Sequence, residues 1–299
     1  MRELDTIGQR PTQTPSQTGP RAVWQPTAAQ LDAISKVPHL AASAYRDLPI
    51  AETIEFYARR YVDQLPNFRR IDANTVIADV GTGYGWLPMA LALHTPACII
   101  AAEMDTERLA AGRQIADILG LADRITWVPE GLGAMSLADR SVDVVYCIEV
   151  LEHVYRAAQP VQDLARLSRD LLIITTPNLW FPVIAHDTRL PFCHWLPVPL
   201  RQRYATAFNR QDRENDNLFW SPIGLDRLLT GFKPVSEFLH YKSLDDYVAT
   251  YPFHLPYVGG GHQARISGAK LAYYRLVAKL GTNARYVMPN LASVWQRQG

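Results

Sequence analysis

The chain has 299 residues, 48% of them apolar, and a formal charge of +1. That length and apolar content suffice for a buried core, and a charge so near zero excludes a global pull toward nucleic acid or anionic lipid. Three cysteines, Cys98, Cys147 and Cys193, lack the paired spacing of a zinc site; Cys98 and Cys147 fall in apolar runs and are expected in the core. Their use suits a reducing cytoplasm. No window is long and apolar enough to span a bilayer.

Residues 1–26 begin MRELDTIGQRPTQTPSQTGPR, rich in Thr, Gln and Pro without the apolar stretch of a signal peptide, and read as a disordered tail. Residues 27–72 carry helical periodicity in AAQLDAISKV and IAETIEFYARRYVDQL, where Ile50, Ile54, Tyr57, Ala58 and Tyr61 share a face. This segment is expected either to lid the site that follows or to cover a sheet edge.

The stretch Thr75–Leu91, TVIADVGTGYGWLPMAL, organises the rest. Val76, Ile77, Ala78 and Val80 form a buried strand that breaks at Gly81, Gly83 and Gly85, beyond which helical spacing resumes. Glycine permits positive φ and lets a ligand approach the main chain, and the next helix directs its unpaired N–H groups at the same place. The spacing departs from the dinucleotide fingerprint G-x-G-x-x-G, because Trp86 stands where its third glycine belongs.

Strands and helices then alternate. ACIIAAE, RITWVPE, SVDVVYCIEV and LLIITTPN read as strands, while DTERLAAGRQIADILG and VQDLARLSRD read as helices. The alternation predicts a doubly wound parallel sheet with its ligands at the carboxyl ends of the strands. Glu103, closing the second strand, is placed to accept hydrogen bonds from a ribose diol.

The run D-x-G-x-G-x-G from Asp79 to Gly85 resembles motif I of the class I S-adenosylmethionine-dependent methyltransferases. VDVVYCIEVLEHV, LIITTPN and NLFWSPIGLDRLLTGFKPVSEF extend the resemblance from about Ala73 to Leu239, toward the quinone-biosynthesis O-methyltransferases and the small-RNA 2′-O-methyltransferases. The resemblance implies a methyltransferase domain over 73–299 with a mostly parallel seven-stranded sheet. It implies S-adenosylmethionine as cofactor, held by Asp79, Gly81, Thr82, Gly83, Gly85, Glu103, Met104, Glu130, Gly131, Leu132 and Glu149. Gly131 stands where such enzymes usually carry the acid that receives the adenine amino group, so Glu130, Leu132 or a main-chain N–H is left to make that contact.

Methyl transfer to a hydroxyl also needs a base. Glu149, Glu152 and His153 form E-x-x-E-H at a strand end, and the resemblance implies that such residues, with a further histidine taken here as His186, bind a divalent cation. Carboxylates with one imidazole suit Mg²⁺ or Mn²⁺ better than a soft metal; without a metal, His153 or His186 is the candidate base. The bland reading is a Glu favoured at a helix N-terminus. An insertion over about 180–217 combines aromatic and Arg residues and is expected to form the acceptor pocket, although Phe192, Trp195 and Leu196 can equally pack it onto the core. The expected reaction is O-methylation of a glycan, sugar or other small-molecule hydroxyl. The alternatives are metal-independent transfer to nitrogen or carbon, and a catalytically silent donor-binding scaffold. No strong nucleic-acid signature is present, and the oligomeric state is open.

Overall fold

The computed structural model describes residues 24–154, 158–184, 188–210, 219–253 and 265–299. Each apolar run read as a strand enters one sheet: β1 (Val76–Val80), β2 (Cys98–Ala102), β3 (Ile125–Val128), β4 (Val142–Ile148) and β5 (Ser168–Thr175). The chain's last segments add β6 (Phe232–Pro234) and β7 (Ser293–Arg297). The order is β3-β2-β1-β4-β5-β7-β6; the first five strands run parallel and β7 lies antiparallel between β5 and β6. Sequence order reverses between β1 and β4, so the carboxyl ends of these two strands flank the crevice in which such sheets take ligands.

The N-terminal segment supplies α1 (Ala28–Ser35), α2 (Pro38–Ala42) and α3 (Ile50–Tyr57). Helices α4 (Trp86–His94) and α5 (Thr106–Ile118) follow β1 and β2, and α6 (Ala158–Leu167) leads into β5. The insertion holds α7 (Val198–Ala207), α8 (Pro222–Leu228) precedes β6, and α9 (Leu244–Thr250) and α10 (Gly268–Ala278) come before β7.

Two apolar layers sandwich the sheet, as strands without polar alternation require. One joins Ile77, Ile99, Tyr146 and Ile173 to the N-terminal helices, α4 and α5; the other joins Ala78, Val145, Leu172 and Trp295 to α6 and α8. A third cluster, Phe238, Tyr241, Tyr247, Tyr274 and Met288, builds the C-terminal annex. At the amino-terminal rim of the sheet, Asp143 accepts the Val76 N–H at 2.9 Å and pairs with Arg69 and Arg169, pinning β1 to β4 from below.

Three local readings change. Ser168-Arg169-Asp170 is the start of β5 rather than the end of a helix, because Ser168 is captured opposite Val142 across a register shift. The helix read through IAETIEFYARRYVDQL stays α only to Tyr57 and widens into a π turn at Ala58–Val62, with the Asp63 N–H reaching back to the Ala58 carbonyl. Cys98 opens β2 at the rim and is exposed, whereas Cys147 and Cys193 are buried; all three are free thiols. Most of the N-terminal tail lies outside the described residues, as do His254, His262 and the Gly259–Gly261 loop.

Candidate active site

Beyond Val80 the chain turns on three left-handed glycines, with φ of +78° at Gly81, +60° at Gly83 and +80° at Gly85. The N–H groups of Gly81 and Thr82 both reach the Ala102 carbonyl, at 2.8 and 3.0 Å, which ties the turn to the end of β2. A Cβ on Gly81 would lie 2.5 Å from a Val150 methyl, and one on Gly85 would lie 2.5 Å from the Trp127 ring. At Gly83 the nearest atom would be the Arg108 Cδ at 3.9 Å, so this glycine leaves open space.

Glu103 lies beside the turn. One of its carboxylate oxygens accepts the Gly83 N–H at 2.9 Å and the other accepts the Asp105 N–H at 3.1 Å. The residue is only 6% exposed, yet it borders an open glycine, the arrangement that a nucleoside diol needs. Asp79 works from beneath: the Thr82 hydroxyl donates to it at 2.6 Å, and burial, opposed by that bond and aided by the Glu103 charge, pushes its pKa up to about 7. Asp79 therefore braces the turn through Thr82.

Met104 is 73% exposed next to Glu103, and its side chain lies 3.2 Å from where a Cβ on Gly131 would stand. Glycine at 131 thus keeps Met104 in place. Glu130 turns away: its carboxylate accepts the Ser136 N–H at 2.8 Å, and its bonds to Ser136 hold its pKa below the usual range. Leu132 is half-buried against the layer under β4. From above, α2 sends His39 to within 2.9 Å of the Tyr84 hydroxyl, and the Tyr45 ring meets Tyr84 edge-on, so the N-terminal segment packs directly on the glycine turn.

At the end of β4, Glu149 takes φ of +54°, an uncommon conformation for a side-chain-bearing residue, while its N–H still pairs with the Thr175 carbonyl at 2.8 Å. The chain then forms a short 3-10 turn, Leu151–His153. Val150 fills the space beneath Gly81, and the Leu151 carbonyl accepts the Trp220 indole N–H at 3.1 Å. Glu152 is 3% exposed and accepts the Thr176 hydroxyl at 2.9 Å. Burial, followed by repulsion from Glu149, pushes its pKa up to about 9, and its side chain hydrogen-bonds Glu149. Glu152 is therefore protonated at neutral pH.

Among the described residues no three of His, Cys, Asp and Glu gather around a common point. Glu152 is turned inward and protonated, and His153 is exposed. His186 lies outside the described residues. The proposed ligand set is therefore only partly within the described residues. Sequence pattern also gave no hint of Thr176, the partner of Glu152, since it becomes visible only when β5 is laid beside β4.

Between the ordinary carboxyl value near 4.5 and about 9, the folded chain holds on Glu152 a proton that the unfolded chain has released. Raising the pH through that window therefore favours unfolding. Glu152→Gln cannot ionise, so its melting temperature should climb relative to wild type as pH rises from roughly 5 to 9. A constant difference across that range would show that Glu152 is not held protonated.

In the insertion, Phe192 and Trp195 are each 50% exposed with ring centroids 4.9 Å apart, rather than packed into the core. His194 and the Trp195 indole both meet the Leu179 carbonyl, and burial lowers the His194 pKa. The root of the insertion, where Asn178 bridges to Trp220, stands against the Glu149–His153 turn through the Trp220–Leu151 bond.

Residues 77–170 match the family model described as a methyltransferase domain. The sheet order and the glycine turn give this methyltransferase domain the Rossmann-like architecture of the class I, S-adenosylmethionine-dependent enzymes. No curated protein matches it in sequence. Similar solved structures include a putative methyltransferase from Haloferax volcanii in complex with a methyltransferase activator, 12% identical, covering 88% of this chain and 98% of that one with a TM-score of 0.49. A putative sarcosine dimethylglycine methyltransferase from Galdieria sulphuraria is 15% identical over 82% of this chain and 85% of that one, TM-score 0.47. Geranyl diphosphate C-methyltransferase from Streptomyces coelicolor is 11% identical over 79% and 73%, TM-score 0.47. Among the described residues no helix is long and apolar enough to cross a membrane.

Proposed function

We propose that this methyltransferase acts in the cytoplasm on a hydroxyl of a glycan, a sugar or another small molecule. The observation that carries the reading is the pair of adjacent carboxyls, Glu149 at φ +54° and buried Glu152 hydrogen-bonded to it and to Thr176, at the strand end next to the glycine turn. Gly83 offers open main chain to the donor and Glu103 a carboxylate to its ribose, with Met104 and Gly131 alongside. S-adenosylmethionine bound there supplies an already activated methyl group.

The chain's own task is to bring an acceptor oxygen into line and to take its proton. Glu149 serves as the base, and protonated Glu152, anchored by Thr176, fixes its orientation through their shared hydrogen bond. With the donor bound, the Glu149 carboxylate would take the hydroxyl proton as the acceptor oxygen is methylated. The insertion supplies the outer wall of the acceptor site, which its root beside Leu151 supports.

Incubation of the chain with methyl-labelled donor and a panel of sugars, uronic acids and phenols is expected to yield methyl ethers. Glu149→Gln should lower kcat by about a hundredfold, within the usual range for removal of a general base. Products methylated only on nitrogen or carbon, or full turnover by Glu149→Gln, would overturn the reading.

A further inference from the structure

The π turn at Ala58–Val62 carries two arginines with opposite circumstances. Arg59 is saturated, meeting Glu55 at 2.6 Å, Asp63 at 3.3 Å and the face of Phe253 at 4.8 Å. Arg60 is not. Its guanidinium carbon stands 5.4 Å from the Phe56 ring centre and 5.5 Å from that of Tyr61, and its Nε is buried without a hydrogen-bond partner. Among the described residues no carboxylate or carbonyl pairs with it. A guanidinium carries five donors, and withdrawing them from water without an acceptor is costly unless something else accepts them.

The surroundings place this arginine at the acceptor end of the sheet. Tyr146 of β4, three residues before Glu149, donates its hydroxyl to the Tyr61 carbonyl at 3.3 Å and meets the Tyr61 ring edge-on at 6.0 Å. Tyr61 stacks on His240 at 4.7 Å, and His240 in turn lies against Tyr241. Burial works against the Arg60 charge, but Tyr61, Tyr241, Glu149 and Tyr247 raise its pKa, so it remains a cation. The residue as a whole is half-buried, although its Nε is fully enclosed. A π turn inserted in an otherwise regular helix is a common mark of a functional position, since the extra residue redirects one side chain.

We propose that Arg60 is the recognition point for an oxyanion, either a carboxylate or a phosphate ester, carried by the methyl acceptor. A planar fork of N–H donors matches such a group bidentately, and the rings of Phe56 and Tyr61 hold the fork in place. The assignment rests on the methyl-transfer reading for the position of the acceptor, and it narrows the substrate class to hydroxylated acids or phosphorylated alcohols.

The test is calorimetric titration of the full chain, saturated with S-adenosylhomocysteine, with benzoate and separately with inorganic phosphate. Wild type should bind at least one of them, and the one bound identifies the kind of oxyanion. Arg60→Gln should weaken that binding by about tenfold or more while its affinity for S-adenosylhomocysteine stays unchanged, which shows that it is folded; Arg60→Lys should fall between the two. In a second arm, 4-hydroxybenzoate should be methylated in preference to 4-hydroxybenzamide, a preference that Arg60→Gln erases. If neither anion binds the loaded wild type, or Arg60→Gln binds as well, the assignment falls while the methyl-transfer reading stands. If S-adenosylhomocysteine itself does not bind, it is the methyl-transfer reading that falls.

Discussion

Glu103→Ala is expected to abolish useful affinity for S-adenosylhomocysteine while leaving the chain folded. A carboxylate that accepts two ribose hydroxyls contributes hydrogen bonds of about 1.5–3 kcal/mol each, so the loss should reach at least about 3 kcal/mol, roughly a hundredfold in Kd. Glu103 also accepts the N–H groups of Gly83 and Asp105, two hydrogen bonds whose net contribution to folding is about 1.5–3 kcal/mol each at most. Calorimetry beside a thermal melt separates the two effects. An unchanged Kd would place the donor elsewhere and remove the basis for the whole site.

Gly85→Ala should produce the opposite pattern, a large loss of stability. The new methyl would stand 2.5 Å from the Trp127 ring, on a backbone whose φ is +80°. Left-handed backbone costs a side-chain-bearing residue about 1–2 kcal/mol and overpacking adds about 1–3 kcal/mol. Together they cost about 2–5 kcal/mol, and at about 2–4 °C per kcal/mol the melting temperature should fall by roughly 4–20 °C. Gly83→Ala shares the left-handed strain but meets only open space, so it should melt closer to wild type and lose donor affinity instead. Equal melting of the two variants would show that Trp127 is not what selects glycine at 85.

The contrast between these glycines marks how far the sequence could be read. Three glycines after an apolar strand announce a turn with positive φ, and the alternation of strands and helices announces the sheet, because both follow from rules of one or two residues' reach. Glu103 was legible for the same reason: the strand after the glycine turn lies beside it in register, with Val80 opposite Ala102. Which glycine is packed and which is open was not legible, since Val150 and Trp127 arrive from strands far along the chain. The E-x-x-E-H pattern was legible only as a spacing. Its spacing is compatible with three ligands converging, but a strand end followed by a 3-10 turn directs Glu152 inward to Thr176 and leaves His153 outside. Arg60 could not be told from Arg59 by sequence, because they are adjacent and differ only in what the fold brings to each.

The contact between Val150 and Gly81 ties the glycine turn to the strand end that bears Glu149. With a valine side chain wedged into the space an ordinary residue would occupy at 81, the segment bearing Glu149 cannot shift without disturbing the bend that receives the nucleoside. Any strain that a ligand places on the bend is thereby passed to the backbone of Glu149.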